Sequence, residues 1–183
     1  MKDKYLFKSE RLGFRNWRED DLEAFAKINA NPEVMEHFPK LLTTEETTQF
    51  IERLYNHYIK NGYTYYATEL IETGELVGFI GLARQDYKAE FNPATDIGWR
   101  LKKSAWGKGF ATEGAKRCLD FAFEELHLNR IVSSCTINNS KSEKVMKKLG
   151  MLKKGEFNHP KLSEYPDYEK CIWYEIRNDQ NGQ

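Results

Sequence analysis

The chain has 183 residues, 40% hydrophobic and 31% charged, with 28 Lys plus Arg against 28 Asp plus Glu. That length suits one domain with a real core, and the balanced charge offers no broad attraction to nucleic acid or acidic lipid. Aromatic content of 14% argues against disorder, and no run approaches the roughly 18 apolar residues of a membrane span.

Met1 to Lys8 is polar and has no apolar signal region, so the expected location is the cytoplasm. Cys118, Cys135 and Cys171 match no metal or disulfide spacing and read as small hydrophobes in a reducing compartment. No metal site is expected.

Leu12 to Arg15 predicts a first strand. Acidic residues at 19–21 suit the first turn of a helix running to about Asn29, and Pro32 then opens a short helix containing Val34 and Met35. Thr43 and Glu46 form a capping box for a helix that stops at Asn61-Gly62. Residues 64–70 and 76–82 around Glu72-Thr73-Gly74-Glu75 predict a hairpin. Residues 95–101 predict a further strand, with Ile97, Trp99 and Leu101 on one face and Asp96, Gly98 and Arg100 on the other. An amphipathic helix follows over 110–125, then a strand over 130–136 and a helix over 142–149 closed by Gly150. Residues 151–157 and 168–176 predict two last strands, and the tail after Asn178 is expected to fray. This order gives an α/β layout with a mixed, mostly antiparallel sheet flanked by helices.

The turn Trp106-Gly107-Lys108-Gly109-Phe110-Ala111 lies between a strand and a helix. Glycines permit a tight turn and close backbone approach. The first amides of the helix lack internal partners and favour an anion. The dinucleotide fingerprint needs a third glycine, where Thr112 stands, and an acid after the next strand, where Cys135, Thr136 and Ile137 stand. The nucleotide P-loop needs Gly-Lys-Ser/Thr, which Gly107-Lys108-Gly109 does not supply. Downstream, Asn139 and Ser142 lie at a strand exit beside a helix start, where capping is an alternative use for both.

Together, Trp106–Ala111, Asn139-Ser140-Lys141-Ser142 and Lys148-Leu149-Gly150-Met151 resemble the Gcn5-related N-acetyltransferase family. They are most similar to the branch that acetylates ribosomal-protein N-termini. Glu10–Arg15 and Asp96-Ile97-Gly98-Trp99 resemble that family's opening and central strand. Trp106 replaces the signature's first Gln or Arg, and Met151 its Phe. The resemblance covers residues 9–176 as one domain, with 1–8 and 177–183 as termini, and implies two diverging strands that form the cofactor cleft.

It implies acetyl-coenzyme A as acyl donor and an amine as acceptor. The amine is either a protein N-terminus or a small polyamine, amino sugar or antibiotic; a catalytically silent coenzyme A-binding regulator is the rival reading. Amides of Ile97, Gly98, Trp99 and Leu101 would hold the pantetheine arm and acetyl carbonyl. Trp106, Gly107, Lys108, Gly109, Phe110, Ala111 and Thr112 would hold the pyrophosphate, and Asn139 the arm. Ser142 is the candidate proton donor to the leaving sulfur. Asp96 is a candidate base and Tyr168 a candidate proton donor, with Tyr165, Glu69, His37 and His159 as weaker candidates. Cys135 has no activating partner in the sequence and reads as packing. Asp20, Asp21, Glu33 and Glu36 would suit a polycationic acceptor. A homodimer is the base-rate expectation.

Overall fold

The computed structural model describes residues 4–178. Eight strands form one sheet: β1 (Phe7–Lys8), β2 (Leu12–Arg15), β3 (Tyr65–Leu70), β4 (Leu76–Gln85), β5 (Ala94–Leu101), β6 (Arg130–Thr136), β7 (Leu152–Asn158) and β8 (Lys170–Arg177). Their spatial order is β1-β2-β3-β4-β5-β6-β8-β7. Every neighbouring pair is antiparallel except β5 and β6. The parallel pair needs a crossover, which is supplied by α3 (Phe110–Asp120) and one turn of π-helix at Phe121–Glu125.

The helices cover both faces. Helix α3 places Phe110, Ala115, Cys118 and Leu119 against Leu12, Phe14, Ile80, Ile97 and Leu101. On the other face, α1 (Asp21–Asn29) and α2 (Thr44–Asn61) set Phe25, Ile28 and Leu54 against Ala67 and Phe79. Each large apolar side chain so buried contributes about 1.5–3 kcal/mol. A third cluster packs Phe91 and Ala94 against Val132 and Trp173. No helix among the described residues is long and apolar enough to cross a membrane.

The Thr43–Glu46 capping box is present, and Gly62 ends α2 in the left-handed conformation with φ +79°. The hairpin β3–β4 forms as its sequence predicts, with a register shift at Thr68/Glu69. Three local expectations fail. Residues after Pro32 make successive turns rather than a helix. Asn31 Oδ1 accepts the amides of Glu33 and Val34 at 2.9 and 3.2 Å, and this side-chain bonding competes with helical bonding. Helix α4 (Ser140–Lys148) starts two residues earlier than expected because Asn139 caps it. Tyr168 belongs to the short helix α5 (Pro166–Glu169), not to the last strand. The tail after Asn178 lies outside the described residues.

Candidate active site

The parallel pairing of β5 and β6 is brief: Thr95 opposes Ile131 and Asp96 opposes Val132. Ser133 Oγ then donates to Ile97 O at 2.9 Å, and beyond it the strands part. Alternation puts the backbone groups of Ile97, Trp99 and Leu101 on the β6 edge, while Lys102 N turns back to Val77 O at 2.8 Å. Leu101 O accepts Trp106 Nε1 at 2.8 Å. The amide and carbonyl of Trp99 and the amide of Leu101 therefore line a gap that has no facing strand to pair with them.

At the end of β5 the chain makes a 3-10 turn at Lys103–Ala105 and enters the glycine turn. Gly107 and Gly109 have φ of +74° and +82°. A Cβ at Gly107 would touch nothing within 4 Å, so glycine is required there for its dihedral rather than for space. Gly109 precedes the first turn of α3, and the first helical bond is Glu113 N to Gly109 O at 3.0 Å. The amides of Phe110, Ala111 and Thr112 thus carry no intrahelical bond. Glu113 does not serve the cleft. Its carboxylate accepts Ser9 Oγ at 2.7 Å, Arg11 N at 2.8 Å and Arg11 Nε at 2.7 Å, which fixes the β1–β2 connection to α3.

The opposite wall is the start of α4. Asn139 Oδ1 accepts Ser142 N at 3.0 Å, so the capping role foreseen for Asn139 is real; both residues also face the gap. Lys141 Nζ lies 4.5 Å from the Trp106 ring centroid and 3.7 Å from Glu36 Oε2, joining α4, the glycine turn and the turns after Pro32. These elements enclose a cavity of about 460 Å³. Of the residues expected to hold the donor, Trp99, Leu101, Trp106, Gly107, Gly109, Phe110, Ala111, Thr112, Asn139 and Ser142 line it. Ile97 is buried in the core and Lys108 is exposed. Tyr168 is half-buried in α5, and neither it nor Asp96 nor Gly98 is part of the lining.

The other face of β5 carries Asp96, Gly98 and Arg100. Tyr65 Oη donates to Asp96 Oδ1 at 2.7 Å and approaches Oδ2 at 2.9 Å. Its ring crosses Gly98, where a Cβ would stand 3.1 Å from it. Gly98 is thus the gap through which Tyr65 reaches the carboxylate. Burial pushes the Asp96 carboxyl up to about 6, against the opposing bond from Tyr65.

A cleft between two parting strands, with free backbone groups on one wall and free helix amides at one end, fits a long, thin, phosphate-ended ligand. The cations of Lys141, Lys144 and Lys148 stand along the same cavity. Residues 11–152 match the acetyltransferase (GNAT) domain model. The chain belongs to the GNAT acetyltransferase family. It is an acyl-coenzyme A-dependent acetyltransferase. It is 29% identical over 162 residues to the uncharacterized N-acetyltransferase YnaD of Bacillus subtilis, covering 87% of this chain and 91% of that protein. A GNAT-family acetyltransferase structure from Bacillus anthracis aligns with TM-score 0.76 and 29% identity, over 93% of this chain and 96% of the other. The ribosomal-protein-S5-alanine acetyltransferase of Vibrio fischeri shares the fold with TM-score 0.72 and 23% identity, over 94% and 96% of the two chains.

Within this acetyltransferase several sequence candidates have other work. Glu69 is buried and accepts Arg15 Nε at 2.7 Å. Asp21 is buried as well and takes Arg15 Nη1 and Nη2 at 2.7 and 2.6 Å. Glu33 pairs with Lys103 at 2.5 Å. The acidic set expected to draw a polycation is therefore largely paired. Burial pushes the Cys135 thiol up to about 12 and Cys171 up to about 11, far from the thiolate that covalent catalysis needs. His37 lines the cavity. His159 is half-buried, its ring tilted against Tyr87 with centroids 4.4 Å apart, and has its pKa lowered by burial. Sequence reading did not single out Tyr65, Phe38 or Arg100. Tyr65 sits on a different strand from Asp96, and local pattern carries no trace of that contact. Arg100 left a signal: a charged residue in a strand whose two neighbours are apolar.

Proposed function

We propose that the protein transfers acetyl from acetyl-coenzyme A to a primary amine by direct attack in a ternary complex, with peptide N-termini as first candidates. The ribosomal-protein branch is supported by the Asn139–Ser142 and Lys148–Met151 segments and by the shared fold; small amines are the other acceptor class. The observation that carries the reading is the cleft itself, which presents the unpaired Trp99 backbone beside the Asp96 face of the same strand.

Acetyl-coenzyme A supplies an activated thioester when bound. The chain's part is alignment and proton handling. Amides of Phe110, Ala111 and Thr112 would bind the pyrophosphate, and Asn139 and the Trp99 backbone the arm. A Trp99 or Leu101 amide aimed at the acetyl carbonyl would stabilise charge developing on its oxygen. An amine arrives mostly protonated; Asp96, held by Tyr65, would take that proton through water. The amine nitrogen then bonds to the acetyl carbon as the carbon–sulfur bond breaks. The nitrogen's second proton leaves to solvent, and Ser142 donates one to the sulfur and is reprotonated by water. No role is assigned to Tyr168 in this scheme: it sits in α5, whereas Asp96 shares β5 with the Trp99 backbone.

Thiol release from acetyl-coenzyme A is measured against N-terminal peptides and small amines. Acceptor-dependent release is expected. Tight coenzyme A binding with no release for any acceptor would favour the silent regulator. In Ser142→Ala the single-turnover rate should fall while coenzyme A affinity holds; an unchanged rate would remove Ser142 from the chemistry.

A further inference from the structure

Arg100 is only 8% exposed, yet its guanidinium has no carboxylate partner among the described residues. Nη1 donates to the neutral Asn29 Oδ1 at 2.7 Å, and Nε is buried without a partner. Phe38 covers the guanidinium at 4.1 Å from its ring centroid, with Phe50 and Phe79 farther off at 5.6 and 5.5 Å. Aromatic faces and one amide do not replace a counter-ion for a charge taken out of water. Glu33 and Glu36 border the same cavity but are engaged, Glu33 with Lys103 at 2.5 Å and Glu36 with Lys141 at 3.7 Å and His37 at 3.8 Å.

Arg100 lines the cavity, its side chain lies on the face of β5 that carries Asp96, and Phe38, which covers the guanidinium, lines the cavity too. At about 3.3 Å per residue, four residues separate the two along the strand by about 13 Å, and Tyr65 lies between them over Gly98. The glycine turn and the Trp99 backbone serve the donor from the other edge. An anion met by Arg100 is therefore more naturally part of the acceptor. A polyamine would meet a buried cation there, an arrangement that costs binding energy.

We propose that Arg100 is a specificity residue that binds a carboxylate of the acceptor, so that the preferred substrate is an amine whose own molecule also carries a carboxylate. This rests on the amine-acetylation reading above. Guanidinium and carboxylate pair through charge-assisted hydrogen bonds, and the bond from Nη1 to Asn29 orients the group before the acceptor arrives. The carboxylate is supplied either by a free amino acid or by Asp or Glu early in a peptide.

The full chain, saturated with coenzyme A, is probed by thermal shift with free amino acids, peptides carrying Asp or Glu in the first two positions, the carboxamide counterpart of each, and spermidine. The same panel then enters the thiol-release assay. Carboxylate compounds should stabilise the protein and react with kcat/KM roughly thirtyfold or more above their amides, the range for a buried charge pair losing one partner. Arg100→Met should bring that ratio towards one with the KM for acetyl-coenzyme A unchanged, and Arg100→Lys should restore part of it. Response confined to amino acids, or to acidic peptides, identifies which carboxylate is read. The proposal is overturned if amides or spermidine match the carboxylates in both assays, if no carboxylate stabilises the wild-type protein, or if Arg100→Met raises the KM for acetyl-coenzyme A and leaves the ratio intact. Carboxylate-dependent stabilisation without thiol release would instead overturn the transfer reading and leave Arg100 as an anion site.

Discussion

Arg15 and Arg100 are both nearly sealed from solvent, at 5% and 8% exposure, and the fold treats them in opposite ways. Burial would push the Arg15 guanidinium down, but bonds from Asp21 and Glu69 outweigh it and hold its pKa above the ordinary value. Arg100 has no such carboxylates, and burial pushes it down to about 10. The first charge is neutralised by the chain itself, where β2, β3 and the start of α1 meet. The second, in a residue that lines the cavity, has only Asn29 and aromatic rings around it among the described residues. A compensated buried charge ties elements together; an uncompensated one marks a place where something else supplies the balance.

The largest effect should come from breaking the compensated cluster. Arg15→Met leaves Asp21 and Glu69 buried without their shared cation and should cost about 3–5 kcal/mol in chemical denaturation. The pH response gives a second measure. Lys4 and Arg15 together hold the Glu69 carboxyl below its ordinary value although burial alone would raise it. Its stabilisation is therefore present above the unfolded carboxylate range and lost as pH falls through the lower folded value. Arg15→Met should flatten that acid limb. A loss below about 1 kcal/mol, typical of surface pairs, would erase the contrast with Arg100.

Asp96 is the intermediate case, a charge raised by burial on the site face of β5. Its folded value of about 6 lies above the ordinary 3.8. The protonated form is thus the better folded one, so ionisation of Asp96 takes stability away as pH rises from 4 towards 6. Asp96→Asn should be more stable than wild type above pH 6, by on the order of 1–3 kcal/mol, with the gain vanishing below about pH 4. The same substitution should remove a rise in kcat/KM centred near pH 6 if the carboxylate accepts the amine's proton. Stability that improves while that rise persists would leave Asp96 as a strained structural acid and move the proton elsewhere.

The proposed donor side depends on backbone geometry more than charge. Gly109→Ala keeps every side-chain contact but places a Cβ at φ +82°, at a cost of about 1–2 kcal/mol. Poorer binding of acetyl-coenzyme A by isothermal titration is expected, with the acceptor preference unchanged. A shift in acceptor preference would show that the two edges of β5 are not separable.

That division also explains what the sequence disclosed. The donor side is built from contiguous turns, and Gly107, Gly109, Asn139 and Ser142 can be read locally because dihedral need and capping chemistry are local properties. Most strands and helices were legible for the same reason, through period-2 and period-3.6 patterns and the Thr43–Glu46 box. On the proposed acceptor side Asp96 and its face of β5 were legible by alternation, but the partners were not. Tyr65 meets Asp96 across β4, through a gap left by Gly98, a contact set by sheet register. The fate of Asp21 and Glu69 likewise depends on one arginine that both reach in space. The helix expected after Pro32, which does not form, and the displaced Tyr168 are cases in which side-chain bonding and a proline-led turn outweighed pattern.

Arg100→Met should produce the smallest stability change of the set, and its smallness is the point. The substitution removes a buried cation that satisfies no carboxylate, loses one bond to Asn29, and puts a flexible apolar chain against Phe38, Phe50 and Phe79. Replacing uncompensated buried charge by apolar volume is often neutral or stabilising, while the orphaned Asn29 carbonyl takes back about 1 kcal/mol. Unfolding free energy within about 1 kcal/mol of wild type is expected, against the several kcal/mol of Arg15→Met. A loss as large as that of Arg15→Met would mean that Arg100 holds the fold through its aromatic contacts, and the idea of an open charge awaiting an anion would lose its physical basis.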